Sequence, residues 1–135
     1  MAIGDGRVVS NFVVQALQNK PITLYGNGEQ TRCFGHVLDA VDAVVRIAFS
    51  ENTIGKVINI GNDFEISIND LAKKVIEQTK SKSEIVYVPY EEAYGDGFED
   101  MERRVPNIDL IKSLVGWEPK RDLSNMIIDI ANFLK

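Results

Sequence analysis

The chain has 135 residues, of which 44% are hydrophobic and 26% are charged, and its formal net charge is −5. This length fits one domain with a substantial core, and the acidic balance argues against general nucleic-acid binding while still allowing local arginines to hold a small anion. A single cysteine, a single histidine and no apolar run of roughly 20 residues exclude an internal disulfide, a thiolate–imidazole zinc site and a membrane span, so we expect a cytoplasmic protein without a bound metal.

Apolar residues recur at helical spacing between positions 7 and 18, and Pro21 ends the pattern. We therefore predict a first helix there. Arg7 lies at its start, where unpaired backbone N–H groups favour an anion. Arg7 is either part of an anion site or a solvated first-turn residue, and the local sequence is compatible with both.

Residues 22–34 are typical of a hairpin, with a strand, a glycine-bracketed turn and a second strand. Gly26 and Gly28 suit a turn that needs positive φ. Tyr25 lies at one lip of this turn, and Gln30 and Arg32 lie at the other. A flat ring, an amide and a guanidinium suit a planar base joined to phosphates, although a surface hairpin with such residues is also ordinary.

The next two segments are unusually apolar. Positions 37–49 predict a helix that is apolar on nearly all sides, so it is either central to the fold or has a second face that expects a partner. Positions 57–60 predict a short buried strand of the kind found inside parallel sheets. Asn59 interrupts this strand, and its amide is either tied to a neighbouring loop or directed at a ligand.

The second half of the chain predicts three more helices and one strand. A capping box at 67–70 starts the third helix, and a strand over 84–89 follows it. The irregular segment 90–106 contains aromatic residues and ends in Arg103 and Arg104, which favours a lid or binding loop over a linker. Asn107 is expected to cap a helix that ends before Gly116, and the final helix covers 123–134.

Three places therefore offer arginine beside aromatic or amide partners: Arg7, Arg32 and the Arg103–Arg104 pair. Forked arginine contacts suit a diphosphate, and the alternative is three unrelated surface arginines. The sequence has no Gly-x-Gly-x-x-Gly after a strand and no phosphate-binding Gly-x-x-x-x-Gly-Lys loop. His36 has no serine or cysteine partner with an evident nucleophilic role, so we expect it to be structural.

The chain resembles the later half of the NAD-dependent nucleotide-sugar epimerases and dehydratases, which are extended short-chain dehydrogenase/reductases. Within that family, the segment 94–106 is most similar to the decarboxylases of UDP-glucuronate. The similarity covers essentially the whole chain in the family's order and spacing, through the segments 4–12, 24–34 with Asp39, 57–62 and 114–119.

The resemblance implies a mixed α/β fold with several helices around short strands, forming one substrate-binding domain over residues 1–135. It also implies that Arg104 assists the chemistry, as the matching arginine is proposed to do in the decarboxylases. Phe98 stands where those relatives carry a substrate-contacting tyrosine, so a hydroxyl contact is lost. The substrate-binding residues that the resemblance implies are Arg7, Thr23, Tyr25, Gln30, Arg32, Asn59, Phe98 and Arg104.

The family's N-terminal Rossmann domain, with its glycine-rich NAD loop and its Tyr-x-x-x-Lys pair, has no counterpart in these 135 residues. We therefore expect no cofactor in this chain, and NAD in the parent family. The expected function is the binding of a UDP- or dTDP-sugar as part of a larger enzyme, without catalysis by this chain alone. A stand-alone binding or interaction module that keeps the fold is the alternative, and a purely structural domain is a third.

The resemblance also explains the apolar helix. In the complete enzymes of the family, the helix at 37–49 and the strand that ends at Ile60 would pack against the dinucleotide-binding domain. Without that domain we expect their apolar faces to be exposed, or covered by a second copy of the chain in a homo-oligomer.

Overall fold

The computed structural model describes residues 7–89 and 101–135. This part of the chain has five α-helices, four short strands and a 3-10 turn after the second helix, which confirms the mixed α/β fold. None of the described helices is long and apolar enough to cross a membrane. The elements are α1 (Val8–Leu17), β1 (Ile22–Tyr25), β2 (Thr31–Cys33), α2 (Val37–Ala48), the 3-10 turn (Glu51–Thr53), β3 (Glu65–Ser67), α3 (Ile68–Thr79), β4 (Ile85–Val88), α4 (Asp109–Val115) and α5 (Leu123–Leu134).

All five helices lie where their sequence patterns predict them. The Ser67 hydroxyl caps α3 by accepting the Asp70 N–H at 3.1 Å, which satisfies a backbone donor that the helix itself cannot. The fourth helix begins slightly later than predicted, because the Asn107 side chain accepts the Asp109 N–H at 2.9 Å and Ile108 is the capping position.

The predicted hairpin over 22–34 is wrong, because its two strands belong to different sheets. β1 pairs in parallel with β4, whereas β2 pairs antiparallel with β3. The physical cause is the start of α3, whose backbone N–H groups have no partner within the helix. The N–H of Ile68 donates to the Gln30 carbonyl at 3.0 Å, and that of Asn69 donates to the Gly28 carbonyl at 2.9 Å. These bonds hold the turn against α3 and direct the chain away from β1.

The predicted strand over 57–60 is also wrong. This segment has no regular secondary structure, and Val57 is 93% exposed. A strand needs a neighbouring strand to satisfy its backbone groups, and none of the described strands pairs with it. Asn59 is exposed as well, so the expected burial of its amide is not observed.

The described apolar side chains form two clusters. The larger one joins α1, β1, α3 and α5, and the smaller one contains Ala43, Ile108, Ile111 and Trp117. Helix α2 supplies only Ala43 to these buried sets. Ile47 packs against the smaller cluster, but most of the other large apolar side chains are exposed, and they are Val37, Leu38, Val41, Val44 and Val45, with Phe49 at the helix end.

Segment 101–106 runs along the second edge of β2. A parallel bridge joins Thr31 to Arg103, and the Thr31 N–H donates to the Glu102 carbonyl at 2.8 Å. β2 is therefore the middle of three extended segments, with β3 on its other side. Phe98, predicted to contact substrate, lies outside the described residues.

Replacement of Gly28 by alanine is expected to destabilise the fold. Gly28 has φ +71°, and an added Cβ would collide with the side chains of Asn69 and Leu24. The backbone strain costs about 1–2 kcal/mol and the collision at least about 1 kcal/mol more. The matched control is Gly55→Ala, because Gly55 has φ +73° and open space around its Cβ. Urea unfolding of both variants measures the difference, and equal losses would contradict the collision.

Candidate functional site

A cleft with a volume of about 820 Å³ opens between the start of α2 and segment 101–106. Clefts of roughly 300–1,000 Å³ are the size at which proteins bind small molecules and cofactors. Of the predicted site residues, Asn59 and Arg104 line this cleft. Other residues that line the cleft include Cys33, His36, Asp39, Arg103 and Trp117.

The cleft floor is organised by the carboxylate of Asp39, whose side chain is only 5% exposed. It accepts hydrogen bonds from the Arg121 guanidinium at 2.7 Å and from the N–H groups of Arg121 and Lys120 at 2.9 and 3.1 Å. The indole N–H of Trp117 donates to the Asp39 carbonyl at 3.0 Å. Burial acts to raise the pKa of Asp39, but these hydrogen bonds and the charge of Arg121 outweigh it and hold the pKa below its usual value.

His36 has a structural role, as predicted. It precedes α2, and its Nδ1 accepts the Leu38 N–H at 3.1 Å. Since Nδ1 acts as an acceptor, Nε2 is the nitrogen that donates to the Asp129 carboxylate at 2.7 Å. The ring therefore caps one helix and joins it to α5, and it has no nucleophile to activate in these contacts.

One wall of the cleft contains an ion pair between Arg103 and Glu65. The guanidinium donates from Nε and Nη2 to the two carboxylate oxygens at 2.9 and 3.0 Å. The Thr31 hydroxyl donates to the same carboxylate at 2.5 Å. The hydrogen bonds from Arg103 and then Thr31 lower the pKa of Glu65. Burial raises the pKa of the neighbouring Cys33 thiol, with the nearby Glu65 charge as a second cause.

The bridge between Thr31 and Arg103 also determines where two predicted arginines lie. Because the bridge is parallel, the residues that follow its two members, Arg32 and Arg104, have adjacent backbones. Arg32 is partly buried and donates to the Thr31 carbonyl at 2.7 Å. Arg104 is exposed and lines the cleft. The backbone of Arg32 thus lies beside that of Arg104, which comes from a distant part of the sequence, but of the two only Arg104 lines the cleft.

Three of the remaining predicted residues lie in β1 or contact it, namely Thr23, Tyr25 and Gln30. Tyr25 is at its end, 40% exposed, and its carbonyl accepts from the Gln30 amide at 3.5 Å. The backbone and hydroxyl of Thr23 both bond to the side chain of Gln15 on α1, at 3.2 and 3.4 Å. Arg7 is exposed and occupies the capping position at the start of α1.

Sequence reasoning missed Glu65 and the buried role of Asp39. The only local signal for Glu65 is an acidic residue inside a short strand, and nothing nearby in sequence indicates its pairing with Arg103. Among the described residues, no three potential metal ligands of the histidine, cysteine or carboxylate type form a group that could hold an ion.

The chain is similar to known nucleotide-sugar enzymes. Residues 4–130 match the family described as GDP-mannose 4,6 dehydratase. The UDP-N-acetyl-alpha-D-glucosaminuronate decarboxylase of Bacillus cytotoxicus is 40% identical over 112 residues, which are 83% of this chain and 35% of that protein. UDP-glucuronic acid decarboxylase 4 of Arabidopsis thaliana is 43% identical over 120 residues, which are 89% of this chain and 25% of that protein.

The fold matches solved structures from the same group of enzymes. The UDP-glucose 4-epimerase of Thermotoga maritima, solved with UDP-glucose, superposes with a TM-score of 0.84 at 26% identity, over 98% of this chain and 40% of that one. The chain thus spans between 25% and 40% of the length of these three relatives.

Replacement of Asp39 by alanine is expected to destabilise the fold at neutral pH by about 2–3 kcal/mol, because it removes a charge-assisted bond and leaves two backbone N–H groups unpaired. The low pKa in the folded state means that the carboxylate stabilises the fold above its unfolded pKa of about 3.9, and that this stabilisation is lost as pH falls through the folded-state value. The difference between variant and wild type should therefore stay constant from pH 7 to about pH 5 and shrink as the pH falls below about 4.

Urea unfolding at several pH values measures this difference. The matched control is Asp42→Ala, which removes a half-exposed pair with Arg46 and should cost less than about 0.5 kcal/mol. Equal losses in the two variants would show that the buried hydrogen bonds of Asp39 add nothing.

Proposed function

Because the chain belongs to the GDP-mannose 4,6 dehydratase family of extended short-chain dehydrogenase/reductases and is similar to UDP-glucuronic acid decarboxylases, we propose that it is the nucleotide-sugar-binding portion of such an enzyme. The ligand would be a UDP- or dTDP-sugar. The observation that carries the proposal is that the bridge between Thr31 and Arg103 places Arg32 beside Arg104, which lines the cleft.

The chemistry of these residues suits a diphosphate. Two guanidinium groups can each donate two parallel hydrogen bonds to phosphate oxygens, which gives both charge compensation and a defined orientation. Arg7 would add a third cation at the start of α1, where the helix dipole favours an anion. We propose that Arg104 also assists the reaction of the whole enzyme from this position.

The other predicted residues would contact the base and the sugar. The exposed ring of Tyr25 can stack on a planar base, and Gln30 lies beside it through its bond to the Tyr25 carbonyl. Thr23 would shape the part of the site near Tyr25 without bonding to the ligand, since its polar groups already bond to Gln15. Asn59, which lines the cleft together with Arg104, would meet the sugar. Phe98 remains a predicted contact.

Apart from the assisting role proposed for Arg104, we assign no reaction step and no cofactor contact to this chain. Solved relatives such as the dTDP-glucose 4,6-dehydratase of Bacillus anthracis hold NAD, whose chemistry in the whole enzyme would be hydride transfer with the sugar. The residues that bind it in the family, a glycine-rich loop and a Tyr-x-x-x-Lys pair, are not among these 135. A cytoplasmic location is part of the proposal and follows from the unpaired Cys33.

A second function, an interaction module, is favoured by the exposed face of α2. Val37, Val41 and Val44 are 68%, 52% and 56% exposed, and Ile54 and Val57, which follow the helix in sequence, are exposed as well. Large contiguous apolar patches on monomers usually mark interaction sites. We propose that an NAD-binding domain covers this face in the whole enzyme, and that a second copy covers it when the chain is alone.

Calorimetry with UDP tests the nucleotide site. Wild type should bind UDP, and Arg32→Ala should weaken binding by about tenfold or more, because charge-assisted hydrogen bonds of about 1.5–3 kcal/mol are lost. Lys82→Ala is the control, since this exposed cation precedes β4 on another surface. Equal affinities in Arg32→Ala and wild type would remove Arg32 from the site. If the chain binds neither UDP nor dTDP, the interaction module is the proposal that remains.

Analytical ultracentrifugation over a dilution series tests the apolar face. We expect dimers or larger species at high concentration and a shift toward monomer in Val44→Asp, because a charge would have to be buried in the interface. Phe133→Asp is the control, since Phe133 is an exposed apolar residue on α5. Monomer at every concentration, together with no binding of a hydrophobic dye, would contradict the proposal.

A further inference from the structure

Segment 101–106 brings Arg104 to the cleft, yet it has little shielding from solvent. Positions 101–105 are all exposed, and none of them belongs to a helix or a named strand. The contacts that hold it to the rest of the fold include the backbone hydrogen bond from Thr31 to Glu102 and the ion pair between Arg103 and Glu65. The placement of Arg104 therefore depends on attachments made by its immediate neighbours.

Glu65 is well situated to provide such an attachment. It lies in β3, directly opposite Cys33 of β2, with its side chain 30% exposed. Its carboxylate accepts two hydrogen bonds from Arg103 and one from the Thr31 hydroxyl. One side chain of β3 thus reaches across β2 and joins all three extended segments. A carboxylate that accepts both donors of a guanidinium also fixes the orientation of that group.

We infer that Glu65 is a positioning residue that acts through Arg103 to keep Arg104 in register with Arg32 at the nucleotide site. This inference rests on the proposed nucleotide-binding function. Glu65 engages the guanidinium of Arg103 directly, so its effect on Arg104 is carried through the neighbouring residue of the chain. The Cys33 thiol lies close enough to feel the charges of Glu65, Asp63 and Arg103.

The test uses Glu65→Gln, which keeps the side-chain size and removes the charge. We expect two effects: UDP affinity measured by calorimetry falls by about fivefold or more, and the Thr31 amide exchanges severalfold faster with solvent deuterium because its bond to Glu102 opens more often. Arg103→Ala should reproduce both effects, and the double variant should be no worse than either single one, since the two residues act as one unit.

The charge-swapped variant, Glu65→Arg with Arg103→Glu, distinguishes the ion pair from a general structural contribution of either side chain. It should recover both UDP affinity and Thr31 protection if the ion pair is the cause. Glu77→Gln is the matched control, because Glu77 is an exposed acid on α3 with no side-chain hydrogen bond among those described. It should leave both measurements unchanged.

The outcomes separate this inference from the proposed function. If Arg32→Ala loses UDP affinity and Glu65→Gln keeps it, the nucleotide site stands and the positioning role is overturned. If the charge swap fails to recover protection of the Thr31 amide, the positioning role is likewise overturned. If wild type binds no UDP, the proposed function fails, and Thr31 exchange still decides whether Glu65 holds the segment.

Discussion

The buried carboxylate of Asp39 is the interaction on which the cleft depends. Burying a charge is costly unless it is paired and fully hydrogen-bonded, and Asp39 meets that requirement through Arg121 and the backbone N–H of Lys120. These bonds attach the start of α2 to the segment between α4 and α5. With the indole of Trp117 bonded to the Asp39 carbonyl, they also attach the start of α2 to the smaller apolar cluster, where both Asp39 and Trp117 line the cleft.

This mode of attachment explains why α2 can be apolar and exposed at once. Polar contacts secure both ends of the helix, through His36 and Asp39 at its start and through Arg46, which donates to the carbonyls of Val115 and Gly116, near its end. Its valines are therefore not needed to fix its position in the described structure. A helix held by hydrogen bonds at its ends can present its apolar face to another domain or to a second copy, as the proposed function requires.

The start of α3 is the second constraint, because it decides the path of the segment proposed to contact the ligand. Its free N–H groups bind the carbonyls of Gly28 and Gln30, so β1 and β2 diverge into two sheets. The divergence places β2 between β3 and segment 101–106. Only in that middle position can Arg32 lie beside Arg104 while Glu65, on the other neighbouring strand, reaches Arg103. The arrangement of charge at the cleft thus follows from satisfying one helix terminus.

The sequence by itself was sufficient to predict the helices and to identify the arginines that could bind an anion. Helical periodicity, the Ser67 cap and the Gly116 stop act within a few residues, so a local pattern is enough to predict them. Only the tertiary structure decided the strand partners, and this is why the hairpin over 22–34 and the strand over 57–60 were predicted wrongly. A strand acquires its partner from a distant segment, and so does a buried charge. The pairs Asp39–Arg121 and Glu65–Arg103 therefore emerge only when the chain is folded.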